Sequence, residues 1–150
     1  MKLVTITIKK VAYMAWASVL SWCIVIFAFS AQIATDSDRF SKGFAWWVFR
    51  DSLTNSQIRE FAHGTIYLVL AVLVVNAYRI SGYNKRNAYA YTMLFCILYA
   101  WTDEIHQIFV PGRAAEFIDF SIDFTGATIG LLVYILFEWM QNTILTCHDG

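Results

Sequence analysis

Four long apolar runs divide this chain, at residues about 11–31, 61–79, 88–109 and 117–140. Each is close to the roughly 20 residues that a helix needs to cross the hydrocarbon core of a bilayer. Lipid offers no hydrogen-bond partners to a bare backbone, so segments that cross it are expected to be α-helical. The pattern predicts an all-α, four-helix transmembrane bundle. The alternating stretch "LVTITI" before Lys9 resembles a strand, but it is short and can simply extend the first helix.

The connection between the first two runs, residues 32–60, is much longer than the others and contains "FSKGFAWWVFRDSL" at 40–53. Aromatic side chains interleaved with lysine and arginine are typical of a helix that lies in the membrane interface. We therefore expect an interfacial helix in the first extracytoplasmic loop. It either anchors the loop as an aromatic belt or covers a site as a lid.

Composition narrows the class of protein. Hydrophobic residues make up 59% of the chain and charged residues 15%, whereas soluble domains are about 45–50% apolar. We interpret residues 1–150 as a single integral membrane domain in contact with the lipid bilayer. The net charge is zero, which gives no basic field for nucleic acid, and no nucleic-acid partner is expected.

Basic residues near helix ends predict the orientation, because lysine and arginine favour the cytoplasmic side. With four crossings both termini share one side, and six basic residues beside helix ends fall there: Lys2, Lys9, Lys10, Arg79, Lys85 and Arg86. The opposite side carries five, three of them inside the long loop: Arg39, Lys42, Arg50, Arg59 and Arg113. The sequence thus predicts a multi-pass protein of the cytoplasmic (inner) membrane with both termini in the cytoplasm.

Three of the predicted helices bring polar side chains to their extracytoplasmic ends. Helical spacing places these residues on one stripe of each helix. The second helix contributes Arg59, His63 and Tyr67; the third contributes Asp103, His106 and Gln107, with Glu104 at the flank; the fourth contributes Asp119 and Asp123. These residues and Arg113, in the turn "VPGRAAE", form the candidate ligand-binding cluster, called the polar cluster below.

The fourth helix indicates which way its aspartates face. Gly126 and Gly130 continue the stripe of Asp119 and Asp123, and a G-x-x-x-G pair allows two membrane helices to approach closely. A carboxylate facing lipid would cost roughly 2.5–3.5 kcal/mol or more. Asp123 is therefore expected to face the interior of the bundle.

Several chemistries fit the polar cluster. It can be a structural plug of ion pairs that fixes helix register, with Arg59 and Arg113 neutralising aspartates. A divalent metal is a second option, because imidazole and carboxylate groups ligate such ions; the candidate ligands are His63, Asp103, His106, Asp119 and Asp123, although no H-E-x-x-H signature is present. Crowded carboxylates beside histidine also suit general acid and base chemistry. Finally, two arginines can clamp a phosphate.

Four motifs resemble the VanZ family in order and spacing: "FSAQ" at 29–32, "REFAHGTIY" at 59–67, "DEIHQIFVPGR" at 103–113 and "DFSIDFTGATIG" at 119–130. The resemblance covers about residues 11–137. It implies a small bacterial integral membrane protein, and the namesake of the family is linked to low-level resistance to teicoplanin, a lipid-tailed glycopeptide. The positions that correspond to the family's motifs are Arg59, His63, Asp103, Glu104, His106, Gln107, Arg113, Asp119 and Asp123.

Two functional hypotheses of different classes follow. In the first, the polar cluster binds or shields an anionic envelope lipid, a lipid-linked precursor or a lipoglycopeptide, which lowers exposure to teicoplanin. In the second, the protein is a membrane-embedded enzyme, a hydrolase or transferase, that acts on a lipid-linked substrate through the Asp/Glu/His side chains; the catalytic residues remain open. A transporter is less favoured, because transporter sites lie near the membrane midplane between repeats.

Overall fold

A computed structural model of the chain describes residues 2–31, 55–111 and 117–148, and these ranges contain four α-helices and no strand. The helices are α1 (Lys2–Ser30), α2 (Asn55–Ile80), α3 (Lys85–Gln107) and α4 (Phe117–His148). The prediction of an all-α fold is confirmed. Residues 40–53, where an interfacial helix is expected, lie outside the described residues.

The helices extend beyond the apolar runs that predicted them. The "LVTITI" stretch is part of α1, which is what a segment without a partner strand requires to satisfy its backbone. The second helix begins at Asn55 and the last ends at His148, so both continue through polar residues. The apolar runs show which residues are favourable in lipid, whereas backbone hydrogen bonds determine where each helix ends.

The ends of α3 show this most clearly. Asn84, in an extended conformation, caps the helix by accepting a hydrogen bond from the backbone N–H of Asn87 at 2.9 Å. The helix therefore begins at Lys85. At the other end, the N–H groups of Phe109 and Val110 bond to carbonyls three residues earlier, so the chain tightens into turns just before Pro111 rather than continuing as helix to residue 109.

Three helices contain segments long and apolar enough to cross a membrane: Thr7–Ser30, Arg59–Ile80 and Phe117–Ile144. The predicted crossing by α3 is not among them. Its tyrosines, together with the polar residues of its last two turns, lower the mean hydropathy of a helix that is otherwise long enough. The structure thus supports a membrane protein with three candidate spans, and the crossing by α3 remains a prediction.

Helix α2 occupies the centre of the bundle and packs against the three other helices. Its fully buried residues, among them Tyr67, Leu70 and Val74, form the core with Val19 and Ile26 of α1. Side chains also bond to the backbone of neighbouring helices. The Trp22 indole donates to the carbonyl of Ile66 at 2.9 Å, and the Tyr99 hydroxyl donates to that of Cys23 at 2.7 Å.

The predicted glycine contact is confirmed and joins α4 to α2. A Cβ on Gly126 would overlap the backbone of Gly64, lying 2.8 Å from its carbonyl carbon, and a Cβ on Gly130 would overlap the backbone of Leu68 in the same way. The two helices therefore touch backbone to backbone. This close contact fixes the register of α4 against α2 and turns Asp119 and Asp123 toward the bundle interior.

A separate ion-pair network, which the sequence patterns did not predict, ties the opposite end of the bundle. Glu138 of α4 accepts hydrogen bonds from Arg79 at 2.9 Å and from the Tyr89 hydroxyl, and Lys85 lies 3.4 Å away. Three helices thus share one carboxylate. Each charge has an opposite partner, so this network behaves as a structural clamp.

Candidate functional site

The centre of the polar cluster is a buried pair formed by His63 of α2 and Asp123 of α4, called the inner pair below. The His63 Nδ1 atom lies 3.1 Å from Asp123 Oδ1. His63 is 8% exposed and Asp123 is fully buried. Asp123 is one turn before Gly126, so the glycine contact between the backbones brings the carboxylate within reach of the imidazole.

Helix α3 adds Asp103 to this centre. Asp103 is buried, and together with His63 and Asp123 it places ligand-type atoms within 4.8 Å of one another. The side chains of Ser30 and Gln107 lie beside the Asp103 carboxylate. Three of the predicted cluster residues, from three different helices, therefore converge on one small volume.

Ser30 is a residue of the site that sequence reasoning missed. It is the last residue of α1 and is buried against Asp103. Its position inside the "FSAQ" motif was the available signal, because this serine directly follows the end of the first apolar run. Four helices, rather than three, contribute polar side chains to this end of the bundle.

Tyr67 lies one turn deeper than His63 on α2. Its side chain is fully buried, and its hydroxyl has no hydrogen-bond partner among the residues that the structure describes. The ring lies close to both Asp103 and Asp123. A buried hydroxyl without a partner is uncommon, because leaving it unsatisfied costs about 1–3 kcal/mol. It indicates a polar group or ligand that completes the site.

Arg59 and Asp119 form an outer pair one turn nearer the helix starts. The Arg59 Nη2 atom lies 3.9 Å from Asp119 Oδ2, which is within ion-pair range but too long for a hydrogen bond. The Arg59 side chain is 32% exposed, whereas that of Asp119 is 4% exposed. Within the described residues, Asp119 is the one acidic group in ion-pair range of this guanidinium, which lies on the more exposed side of the site.

The remaining predicted residues of α3 lie around this centre rather than in it. The His106 ring packs on Phe27 of α1 with the ring centroids 4.4 Å apart. Glu104 and Gln107 are both buried. Arg113 lies outside the described residues, so the structure gives no position for the second arginine of the predicted phosphate clamp.

The charges of the described cluster do not balance. In the part of the chain that the structure describes, the three buried aspartates, Asp103, Asp119 and Asp123, have one arginine and one histidine as ion-pair partners, Arg59 and His63. Among the described residues, neither Asp103 nor Asp123 forms an ion pair with an arginine or lysine. Uncompensated charge at this depth is expensive. The inner part of the site is therefore suited to a cation or to protons, and the entrance is suited to an anion.

Large apolar side chains surround the site end of the bundle on the outside. Phe61 of α2, Phe109 after α3 and Phe117 at the start of α4 are 58%, 79% and 80% exposed. Large exposed apolar surfaces on a membrane protein face lipid or a lipidic ligand. The polar interior and the apolar rim together match the two parts of an amphiphilic molecule.

Comparison with known families gives a match to VanZ/LLP1 over residues 15–138, most of the chain. The chain belongs to the VanZ/LLP1 family. The resemblance found in the motifs is thus confirmed, and every described residue of the polar cluster lies inside the matched region. No curated protein and no solved structure matches the chain. VanZ/LLP1 membership establishes a VanZ-like membrane protein.

Proposed function

We propose that the polar cluster binds the anionic headgroup of an envelope lipid or lipid-linked precursor at the extracytoplasmic membrane surface. The protein would be a multi-pass protein of the cytoplasmic membrane with both termini inside. By occupying or shielding this lipid, it would lower the exposure of the cell to teicoplanin and related lipoglycopeptides. The observation that carries the proposal is Arg59, whose side chain is 32% exposed and lies 3.9 Å from Asp119, too far for a hydrogen bond.

The surface of α3 supports a fourth crossing. Its exposed large side chains, Tyr91, Leu94, Leu98, Trp101 and Ile105, recur every three or four residues along one face. The opposite face carries the buried residues. An apolar outer stripe of this length is unfavourable in water and favourable in lipid. With α3 across the membrane, the polar cluster and the Glu138 network lie at opposite surfaces.

Phosphate recognition follows from the geometry of Arg59. A guanidinium matches the oxygens of a phosphate with parallel hydrogen bonds, and such charge-assisted bonds are stronger than neutral ones. At 3.9 Å the contact with Asp119 leaves these donors available. A headgroup phosphate above Arg59 would bring its acyl chains against Phe61, Phe109 and Phe117, which are exposed on the rim.

The test is to identify lipids that co-purify with the protein in mild detergent, using native mass spectrometry, for the wild type, Arg59→Gln and Arg79→Gln. Arg79 is the matched control, because it is an arginine of the same helix that pairs with Glu138 at the other end of the bundle. A hydrogen bond to a charged group contributes about 1.5–3 kcal/mol. We therefore expect Arg59→Gln to reduce the bound anionic lipid about 10-fold or more and Arg79→Gln to retain it.

Two outcomes of this experiment would contradict the proposal. If the wild type carries no anionic lipid above its share of the membrane, or if both arginine variants lose lipid equally, headgroup binding at Arg59 is refuted. Growth of a susceptible host on teicoplanin, with and without the expressed protein, tests the resistance part separately.

A second candidate function is that of a membrane-embedded hydrolase or transferase. It is favoured by the inner pair, because an imidazole held by a carboxylate at 3.1 Å is the usual arrangement of a general base. Incubating the purified protein with a lipid-linked precursor distinguishes the two functions. Turnover that Asp123→Asn abolishes would favour the enzyme, and binding without a product would favour the shielding protein.

A further inference from the structure

We propose that His63, Asp103 and Asp123 form a binding site for a divalent metal ion of the Zn²⁺ or Mn²⁺ type. The proposal goes beyond lipid binding and does not depend on it. It also narrows the five candidate ligands of the sequence to three. Among the described residues, these three are the group of histidine and carboxylate side chains whose ligand atoms converge within 4.8 Å.

The geometry is close to that of a coordination sphere. Metal–ligand bonds of about 2.0–2.2 Å place neighbouring ligands roughly 3.0–3.5 Å apart. The Nδ1 atom of His63 and the Oδ1 atom of Asp123 are 3.1 Å apart, within that range. Asp103 lies at a somewhat greater separation, so a modest movement of its side chain would close the site around an ion.

The three residues come from α2, α3 and α4, whose backbones are already fixed by packing. Gly126 sets the approach of α4 to α2, and Asp123 lies one turn away on the same face. Ligands on packed helices hold their positions better than ligands on loops. Ser30 and Gln107 lie beside Asp103, but the Ser30 hydroxyl and the Gln107 amide nitrogen make no hydrogen bond among the described residues. A small movement of the Asp103 side chain toward an ion would allow them to act as the outer-shell groups of a metal site.

Charge gives an independent reason for a cation. A protonated His63 can neutralise one of the two inner carboxylates, and no lysine or arginine among the described residues pairs with the other. A divalent ion bound by a neutral imidazole and two carboxylates leaves no net charge in the buried centre. An ion pair with His63 alone leaves one negative charge buried at this depth, which is unfavourable.

Polar atoms in and beside this group lack hydrogen-bond partners. The Asp123 Oδ2 atom and the Tyr67 hydroxyl are buried and have no hydrogen-bond partner within the described ranges. Tyr67 lies close to both aspartates. A water molecule on the ion would give its hydroxyl a partner. Since three protein ligands leave at least one position open, the ion could also contact a bound phosphate oxygen.

The ligand set indicates the class of metal. Imidazole nitrogen suits Zn²⁺ and other transition ions, and carboxylate oxygen suits Mn²⁺ and harder ions. A mixed set of one nitrogen and two carboxylates therefore favours Zn²⁺ or Mn²⁺ over Ca²⁺, which prefers six to eight oxygens. No thiolate lies in the group.

The test is metal analysis by inductively coupled plasma mass spectrometry on protein purified without chelators, then incubated with Zn²⁺ or Mn²⁺ and desalted. The variants are Asp123→Asn, Asp103→Asn and Glu138→Gln. Glu138 is the matched control, because it is a partly buried carboxylate on the helix of Asp123, at the other end of the bundle. Size-exclusion chromatography shows which variants fold.

We expect about one ion per wild-type chain and per Glu138→Gln chain, and at least a five-fold lower content in both aspartate variants. The melting temperature of the wild type should rise with added ion and fall again with chelator. A wild type that binds no Zn²⁺ or Mn²⁺ after incubation would overturn the proposal, as would folded aspartate variants with undiminished metal. If neither aspartate variant folds, the wild-type metal content and the ion-dependent melting shift decide the question.

The same samples separate this proposal from lipid binding. Metal bound without anionic lipid would leave the metal site standing and refute the headgroup site. Lipid bound without metal would do the reverse.

Discussion

The Nδ1 atom of His63 lies 3.1 Å from Oδ1 of Asp123, although the two residues are 60 positions apart in the chain and belong to different helices. The contact exists because α2 and α4 approach through glycine, which leaves room for short polar side chains to meet. The metal site and the general-base arrangement both depend on this contact. Variants of these two residues can also separate an effect on stability from an effect on ligand binding.

Removal of His63 should destabilise the protein more than neutralisation of Asp123. His63→Leu leaves the Asp123 carboxylate buried without its partner, and breaking a buried pair in this way costs about 3–5 kcal/mol. Asp123→Asn keeps the size and a hydrogen bond to the imidazole, so its effect should be small. Thermal unfolding in detergent measures both. The double variant should recover part of the loss, and a double variant less stable than His63→Leu would contradict the pairing.

Two glycines on facing helices should respond differently to alanine. In Gly126→Ala the new Cβ overlaps the Gly64 backbone, which cannot move aside, so we expect a loss of about 1–3 kcal/mol. In Gly64→Ala the Cβ lies 3.6 Å from a methyl of Ile122, an ordinary contact. That variant should be neutral or slightly more stable, because alanine favours helices. Equal melting temperatures for the two variants would show that the helices are farther apart.

Two tyrosines, Tyr67 fully buried and Tyr99 partly buried, allow a comparison of hydroxyl groups with and without a partner. Tyr99→Phe removes a hydroxyl that donates to the Cys23 carbonyl at 2.7 Å and should cost about 1 kcal/mol. Tyr67→Phe removes a hydroxyl without a partner among the described residues, so in chelator-treated protein it should leave stability unchanged or raise it. Melting curves with and without added metal measure both effects. A loss of stability in Tyr67→Phe as large as that in Tyr99→Phe would show that the hydroxyl has a protein partner.

Labelling of introduced cysteines checks the crossing by α3. Cys23, Cys96 and Cys147 are first replaced, and a single cysteine is then introduced at one of two exposed positions. Asn87 lies in the first turn of α3, and Pro111 lies a few residues after its last turn. With α3 across the membrane and the termini inside, an impermeant thiol reagent should label position 111 in intact cells. Position 87 should react only after permeabilisation. Labelling of both positions from one side would show that α3 does not cross, and the reverse pattern would invert the orientation.

The lengths of the apolar runs were enough to predict the four helices, and the spacing of polar and glycine residues predicted which stripe of three of them turns inward. Helical spacing alone put Asp119, Asp123 and Gly126 on one face, and the structure confirms that this face meets α2. The helix ends could not be read in the same way. They depend on local hydrogen bonds, such as the Asn84 cap, that an apolar run does not contain.

The sequence predicted which residues belong to the polar cluster, but not which of them form the outer pair and which form the inner pair. The spacing showed that Arg59 and His63 share a stripe, yet only the packing shows that the first forms an outer pair with Asp119 and the second an inner pair with Asp123. Which candidate ligands converge also depends on rotation of α3, which brings Asp103 inward and turns the His106 ring onto Phe27. The Glu138 network was missed because Glu138 is 49 positions from Tyr89 and 59 from Arg79, so no local spacing links the carboxylate to its partners.

A plug of ion pairs and a binding site would respond differently when a carboxylate at the centre is neutralised. A plug exists for stability, whereas the residues of a binding site are retained at a cost in stability. The most direct measurement is therefore bound divalent metal, together with the melting temperature after chelator treatment, taken on the same preparations of wild type and Asp123→Asn. The account predicts that chelator-treated Asp123→Asn melts within a few degrees of the chelator-treated wild type or above it, and that Asp123→Asn rebinds at least five-fold less metal. An Asp123→Asn protein that melts well below the wild type yet binds the same metal to the same extent would contradict it.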